Sequence, residues 1–181
     1  METPDRSALY ELAAGQEGYF TTQQAGSVGY SRPLLDHHVK SGRFTRARRG
    51  VYRLVEFPTG EHEDLVIAWL WSDRAGVFSH DTALALHNLS DALPAHLHMT
   101  LPATWRRRRL MVPGDLRTHF ADVAPEERGW SGAVPVTTPL RTLRDCEEEH
   151  LPPDLLAQAI RDGIARGLFG RADVREFGVD G

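Results

Sequence analysis

Residues 31–54 read SRPLLDHHVKSGRFTRARRGVYRL, and they carry the clearest structural pattern in the first part of the chain. Ser31 is a typical helix-capping residue, and Pro33 falls in the first helical turn, where its missing N–H costs nothing. Leu35 and Val39 stand four residues apart and therefore predict the buried stripe of a helix. The sequence thus predicts a short amphipathic helix whose other faces carry polar and charged side chains.

Two short runs with strand composition follow this helix directly. Residues 44–47 and 51–54 are short β-type runs, and they are separated by residues 48–50, whose sequence is RRG. The glycine supplies the permissive backbone that a tight turn needs. A helix that ends at Gly42 and is followed at once by a hairpin is typical of a winged helix.

Two further helices are predicted upstream. Ser7 can cap the first, and either Thr21 or Thr22 can cap a second over residues 23–27. Two helices joined by a tight turn, the second of them exposing polar side chains, form a helix-turn-helix arrangement. We therefore expect residues 1–56 to form a winged helix-turn-helix DNA-binding domain.

The charge distribution supports a nucleic-acid partner, although the net charge of the 181-residue chain is -4. Seven basic residues and one acid, Asp36, lie between residues 31 and 53, so this segment carries +6. The other 14 Lys and Arg against 24 Asp and Glu give -10 for the remainder. This polarity predicts a basic binding module joined to an acidic body.

The predicted DNA contacts lie on the third helix and on the hairpin. The helix is expected to enter the major groove, and the hairpin to grip the phosphate backbone or the minor groove. The alternative left open is a solvated charged face. The predicted contact set is Ser31, Arg32, His37, Lys40, Arg43, Arg46, Arg48, Arg49 and Arg53.

Beyond a linker at residues 57–60, residues 60–181 are expected to form an α+β domain with a mostly antiparallel sheet, because the strand candidates cluster in its middle. Helices are predicted near residues 61–73, 79–88, 138–146 and 154–167. The strand candidates are residues 77–78, 96–101, 110–112, 116–120 and 133–136.

A second basic feature lies in this body and consists of Arg106, Arg107, Arg108 and Arg109. Between two strands, the run could be an exposed loop. It could also extend the DNA footprint or meet an acidic partner surface, and we expect it as a possible secondary contact.

The sequence offers little for catalysis. His96 and His98 share one face of a predicted strand, but no cysteine pair or His-Glu-x-x-His signature accompanies them. A packed-histidine interpretation is favoured for His80 and His87, which stand one heptad apart. We find no P-loop or Gly-x-Gly-x-x-Gly, and Cys146 lies between acids that would raise the pKa of its thiol. We therefore expect no enzyme, no cofactor and no metal.

The sequence resembles the AbiEi family, the antitoxins of type IV toxin–antitoxin systems. The resemblance rests on residues 18–25 (GYFTTQQA), 39–44 (VKSGRF) and 49–54 (RGVYRL), and it continues in residues 79–91 and 137–145. Together these stretches cover most of the chain up to about Cys146.

This resemblance implies a transcriptional regulator that represses its own operon at an inverted-repeat operator in double-stranded DNA. It also implies a role in phage defence, with a nucleotidyltransferase toxin countered without a stable complex. The single cysteine and the lack of a signal or membrane segment predict a cytoplasmic protein. Two alternative functions remain open. One is a stand-alone regulator whose acidic second domain binds a ligand or protein, and the other is an enzyme that counteracts the toxin. The sequence leaves the oligomeric state undecided.

Overall fold

The computed structural model describes residues 3–89 and 94–178, which divide into two compact units. One unit contains residues 1–74 together with 132–134, and the other contains residues 75–131 and 135–181. The α+β class expected from the sequence is confirmed, because both units combine helices with a β-sheet. Within the described residues, no helix has the length and apolar character needed to cross a membrane.

The first unit has the helix and strand order of a winged helix. Its sheet has the strand order β1-β3-β2, and both pairs are antiparallel. Its elements are α1 (Arg6–Ala14), β1 (Tyr19–Thr21), α2 (Thr22–Ser27), α3 (Arg32–Lys40), β2 (Phe44–Arg48), β3 (Val51–Leu54) and α4 (Glu63–Trp71).

Side-chain caps begin the three helices that precede the hairpin. The Thr21 hydroxyl accepts from the backbone N–H of Gln24, whose side chain accepts from the Thr21 N–H in return, so α2 starts with a capping box. Ser31 caps α3 as predicted. The prediction for α1 is wrong by two residues, because Asp5 rather than Ser7 occupies the cap position and accepts from the backbone of residue 8.

The core of the first unit fixes α3 against the sheet. Leu35 is fully buried, and Phe20 packs its ring edge-to-face against Phe44 with centroids 5.1 Å apart. The same core contains residues from all three strands and from α1, α2 and α3, namely Leu9, Ala13, Phe20, Ala25, Tyr30, Leu35, Phe44, Tyr52 and Leu54. Burial of this apolar stripe determines which face of α3 meets solvent.

The helix α4 belongs to the first unit by its contacts, since it packs on all three strands of the sheet. The boundary between the compact units therefore follows residue 74, not the predicted linker at residues 57–60. Apolar burial explains the difference, because α4 is apolar on most of its surface and five of its nine residues are buried. A functional division between residues 1–56 and 60–181 stays a prediction.

The second unit is built on a mixed five-stranded sheet with the order β6-β5-β4-β8-β7. Its strands are β4 (Val77–Phe78), β5 (Leu97–Leu101), β6 (Leu116–Phe120), β7 (Arg128–Ser131) and β8 (Val134–Thr137). Its helices are α5 (His80–Leu86), α6 (Pro139–Glu148) and α7 (Pro153–Ala165), with 3₁₀ segments at Ala103–Arg107, Pro125–Glu127 and Arg175–Phe177.

The expected mostly antiparallel sheet is wrong in this unit. Strands β5 and β6 pair in parallel from Leu97 opposite Leu116 to Leu101 opposite Phe120, and β4 pairs with β8 in parallel. Only β4 with β5 is antiparallel among the pairs whose register is defined. The β5–β6 connection spans residues 102–115, which is the length that a parallel crossover requires.

The predicted strand at residues 110–112 is also wrong. These residues have no regular structure, and Met111 is 83% exposed. An apolar run alone therefore did not produce a strand here, because no neighbouring strand pairs with it.

The helices of the second unit enclose an apolar core. A side chain at Gly163 in α7 would collide with the Phe169 ring, whose nearest atom would lie 2.1 Å from an added Cβ. Cys146 lies in this core at 1% exposure, and burial raises the pKa of its thiol, which favours a structural role. The core residues are Leu84, Leu89, Leu143, Cys146, Leu156, Ala159, Ile160, Phe169, Val174 and Phe177.

Candidate nucleic-acid interface

The exposed face of α3 carries the polar residues that the sequence singled out. Arg32, Asp36 and Lys40 follow one another at four-residue spacing and therefore lie along one side of the helix. His37 is exposed beside them, whereas Leu35 is buried in the core of the unit. The helix α3 therefore presents a charged edge to solvent, and the buried side chain of Leu35 holds the helix against the core.

The wing is the hairpin formed by β2, β3 and their turn, and it is attached to the start of α2. The backbone N–H of Thr22 donates to the Gly50 carbonyl at 2.9 Å, and the Thr22 hydroxyl donates to the same oxygen at 3.3 Å. Gly50 has a φ of +79°, which explains the need for glycine at the turn. A register shift between Arg46 and Arg48 bulges β2 and redirects the side chains there.

A groove of about 310 Å³ lies between α3 and the wing. Arg32 of α3 and Arg46 and Arg49 of the wing line it, together with the single carboxylate of Asp36. Three guanidinium groups against one carboxylate give this groove an excess of positive charge. Planar guanidinium groups form paired hydrogen bonds with phosphate oxygens and with the major-groove edge of guanine, so the groove is suited to a nucleic acid. Its lining is completed by Thr22, Gly50 and Tyr52.

Arg43 and Arg48 occupy different surroundings from these three arginines. Arg43 lines another cavity of about 540 Å³, near the exposed ion pair of Arg6 and Glu56. Arg48 is half-buried at the bulge, whereas Arg49 next to it is exposed. Ser31 uses its hydroxyl to cap α3. The predicted contacts are therefore distributed over more than one surface of the first unit.

Arg53 is separated from the groove. Its guanidinium group lies 3.3 Å from the Glu63 carboxylate, donates to the Phe57 carbonyl at 2.8 Å and sits 5.8 Å from the centre of the Tyr19 ring. Only 16% of its side chain is exposed. These contacts link β3 to α4. An arginine held in this way stabilises the fold and is not placed to bind a ligand.

The four consecutive arginines of the second unit are divided between intramolecular contacts and solvent. Arg106 donates to the Phe120 carbonyl at 2.9 Å, and the Arg108 guanidinium stacks 4.2 Å from the centre of the Trp105 ring. Arg107 and Arg109 are exposed. A secondary contact through this run stays a prediction.

Sequence reasoning missed one cluster of side chains in the second unit. His80, His98 and His119 meet there, whereas His96, which shares one face of the predicted strand with His98, is not part of the group. His119 lies on β6, and its approach to His98 depends on the parallel pairing of β5 with β6. The sequence carried no local signal for that pairing. His87 lies apart from this cluster, with its Nε2 2.7 Å from the Thr137 carbonyl oxygen.

Comparison with known proteins gives a specific result for the first unit. No functionally curated protein matches the chain significantly. The crystal structure of the RV2827C protein from Mycobacterium tuberculosis aligns with a TM-score of 0.49 and 13% identity, covering 98% of this chain and 82% of that chain. Residues 7–55, which hold nearly all of the segment from α1 to β3, match the family described as "Transcriptional regulator, AbiEi antitoxin".

Proposed function

We propose that the protein is a DNA-binding transcriptional regulator whose first unit contacts double-stranded DNA through α3 and the wing. The groove lined by Arg32, Arg46 and Arg49 carries this proposal, because it combines a helix edge with a hairpin and an excess of positive charge. A helix of this kind reads base edges in the major groove, and the wing arginines hold the phosphates on either side. The family match of residues 7–55 supports the same function.

The proposal extends to autoregulation and antitoxicity. The family description names an AbiEi antitoxin, so we propose that the operator lies upstream of this protein's own gene, and that the partner is a nucleotidyltransferase toxin encoded beside it. We assign antitoxicity to the second unit and expect no stable complex with the toxin. The operator should contain an inverted repeat.

Co-expression separates these two roles. A reporter under the upstream region of the gene measures repression, and growth during expression of the adjacent gene measures antitoxicity. The Arg46→Ala/Arg49→Ala variant should lose repression and still rescue growth, because the wing is expected to serve DNA binding alone. Loss of rescue in this variant would show that antitoxicity needs the DNA contact. Repression equal to that of the wild type would refute the assigned interface.

The gene neighbourhood distinguishes the antitoxin from a stand-alone regulator. If no toxic gene lies beside this one, the regulator proposal remains and the antitoxin proposal fails. The second unit would then need another partner, such as a ligand or a protein.

A further inference from the structure

Three histidines from different elements meet in the second unit. His80 starts α5, His98 lies on β5 and His119 lies on β6. Each offers one ring nitrogen, and these three nitrogens all lie within 4.8 Å of one another. Nitrogens bound to one zinc ion at about 2.1 Å must lie within about 4 Å of one another, so a rotation of the rings that makes the three nitrogens converge would complete such a site.

The rings contact one another directly. His98 Nδ1 lies 3.1 Å from His119 Nε2, and the rings of His80 and His119 stack with centroids 3.6 Å apart. Three protonated imidazoles at these distances would repel one another strongly. Burial lowers the pKa of all three, and that of His80 falls to about 3. The neutral imidazole is the form that binds a metal, and burial favours this form.

Outer contacts orient two of the rings. His119 Nδ1 lies 3.2 Å from a Glu149 carboxylate oxygen, and His80 Nδ1 lies 2.8 Å from the Ser79 hydroxyl, which also accepts from Thr100. Metal-binding histidines commonly use one nitrogen for such a partner and the other for the ion. Here the arrangement leaves Nε2 of His80 and Nε2 of His119 for an ion, together with Nδ1 of His98.

The backbone at His80 is also unusual. Its φ is +52°, a conformation that side-chain-bearing residues rarely adopt and that is often retained at functional sites. A cavity of about 350 Å³ adjoins the cluster and is lined by His80, His98 and Glu149 among others. The cavity gives an ion a route of entry and leaves room for water.

We propose that His80, His98 and His119 form a binding site for a divalent transition-metal ion of the zinc class. Three imidazole nitrogens favour zinc and its first-row neighbours over magnesium or calcium, which prefer oxygen ligands. The ion would join α5, β5 and β6 at one point, and water would complete its coordination. This site is independent of the DNA interface, so its failure would leave the proposed regulator function intact.

Zinc titration of the chelator-treated full chain tests this site. We expect one ion per chain by calorimetry, and a rise in Tm of at least about 5 °C at a hundredfold excess of free zinc over Kd. His98→Gln and His119→Gln should each weaken zinc binding by at least about 100-fold, which exceeds the usual effect of an outer partner. The matched controls are His96→Gln and His150→Gln, since both residues line the same cavity outside the cluster. These controls should bind zinc as the wild type does.

A gentler variant covers the case in which a core histidine substitution unfolds the protein. Glu149 is 55% exposed, so Glu149→Gln should fold normally and weaken zinc binding by about tenfold through His119. Tetrahedral absorption bands of bound Co²⁺ should appear in the wild type and disappear in His119→Gln. Absence of saturable zinc binding in the wild type overturns the proposal. Loss of binding in His96→Gln with retention in His119→Gln also overturns it.

Discussion

Replacing Arg46 and Arg49 by alanine in the full chain removes two of the three guanidinium groups that line the groove between α3 and the wing. Both side chains are exposed, so the substitution opens no cavity in the core. We expect the Tm of this variant to lie within about 2 °C of the wild-type value. Its effect on DNA binding therefore reports the lost contacts and not a damaged fold.

The expected magnitude follows from counterion release. Each phosphate neutralised by the protein contributes about 0.9 to the slope of log K against log salt, so two lost contacts lower this slope by about 1.8. Over the roughly 0.8 decade between 1 M and 0.15 M salt, this change corresponds to a loss of about 1.5 decades in affinity. Binding at about 0.15 M salt should thus weaken roughly 30-fold, or by about 2 kcal/mol.

Fluorescence anisotropy measures this effect on two labelled duplexes, one from the region upstream of the gene and one with the same bases scrambled. The slope should fall equally on both duplexes, because phosphate contacts carry no sequence information. The matched control is Arg161→Ala/Arg171→Ala, which removes the same charge from exposed positions of the second unit. A wild-type slope in the wing variant would exclude Arg46 and Arg49 as phosphate contacts, and so would an equal loss in the control.

Three further substitutions test the structural roles assigned above. Arg53→Ala should lower the free energy of unfolding by about 1–3 kcal/mol, because it leaves the Glu63 carboxylate without its ion pair, while the salt slope of DNA binding stays unchanged. Urea unfolding and the anisotropy titration measure the two effects. Gly18→Ala should destabilise the first unit by at least about 2 kcal/mol, since φ at this position is +85° and an added Cβ would lie 2.6 Å from Phe57; thermal unfolding checks this. Burial lowers the pKa of His87 in the folded protein. In the unfolded chain His87 therefore takes up a proton below pH about 6.5, whereas in the folded chain it stays neutral to a lower pH. Stability should therefore fall with pH below about 6.5 in chelator, and His87→Gln should reduce this dependence by at most about 1.4 kcal/mol per pH unit in urea titrations.

The parts of the fold that the sequence predicted are those set by local chemistry. The cap at Thr21, which was one of two threonines that the sequence offered, the cap at Ser31 and the turn at Gly50 each depend on residues a few places apart, so the local sequence predicts them. The error at the cap of α1 has the same origin. Asp5 and Ser7 are both good capping residues, and their spacing to the apolar stripe does not separate them.

The parts that the sequence did not predict depend on contacts between distant residues. Apolar periodicity indicates that residues 97–101 and 116–120 are strands, but it carries no information on whether the two strands pair in parallel. The histidine cluster depends on that pairing, so the sequence did not predict the cluster either. Single residues were equally hard to place when their partners lay far along the chain.

Arg53 illustrates this limit. It sits among basic residues in the sequence, but alternation along β3 turns it away from the side of Tyr52 and Leu54 that joins the core. On its own side it meets Glu63, ten residues later and beyond the predicted linker. Composition therefore indicated where the basic residues are concentrated, whereas the contacts of each arginine required the tertiary structure.

Sequence reading by α3 of the first unit is measured by the ratio of the Kd values for the scrambled and upstream duplexes. The wild-type chain should bind the upstream duplex at least about 1,000-fold more tightly. Arg32→Ala should reduce this ratio by about 10- to 100-fold, because Arg32 is the groove arginine on α3 and one base contact contributes about 1–3 kcal/mol. Equal binding of both duplexes by the wild type, or a ratio unchanged in Arg32→Ala, would be incompatible with sequence reading by α3 through Arg32.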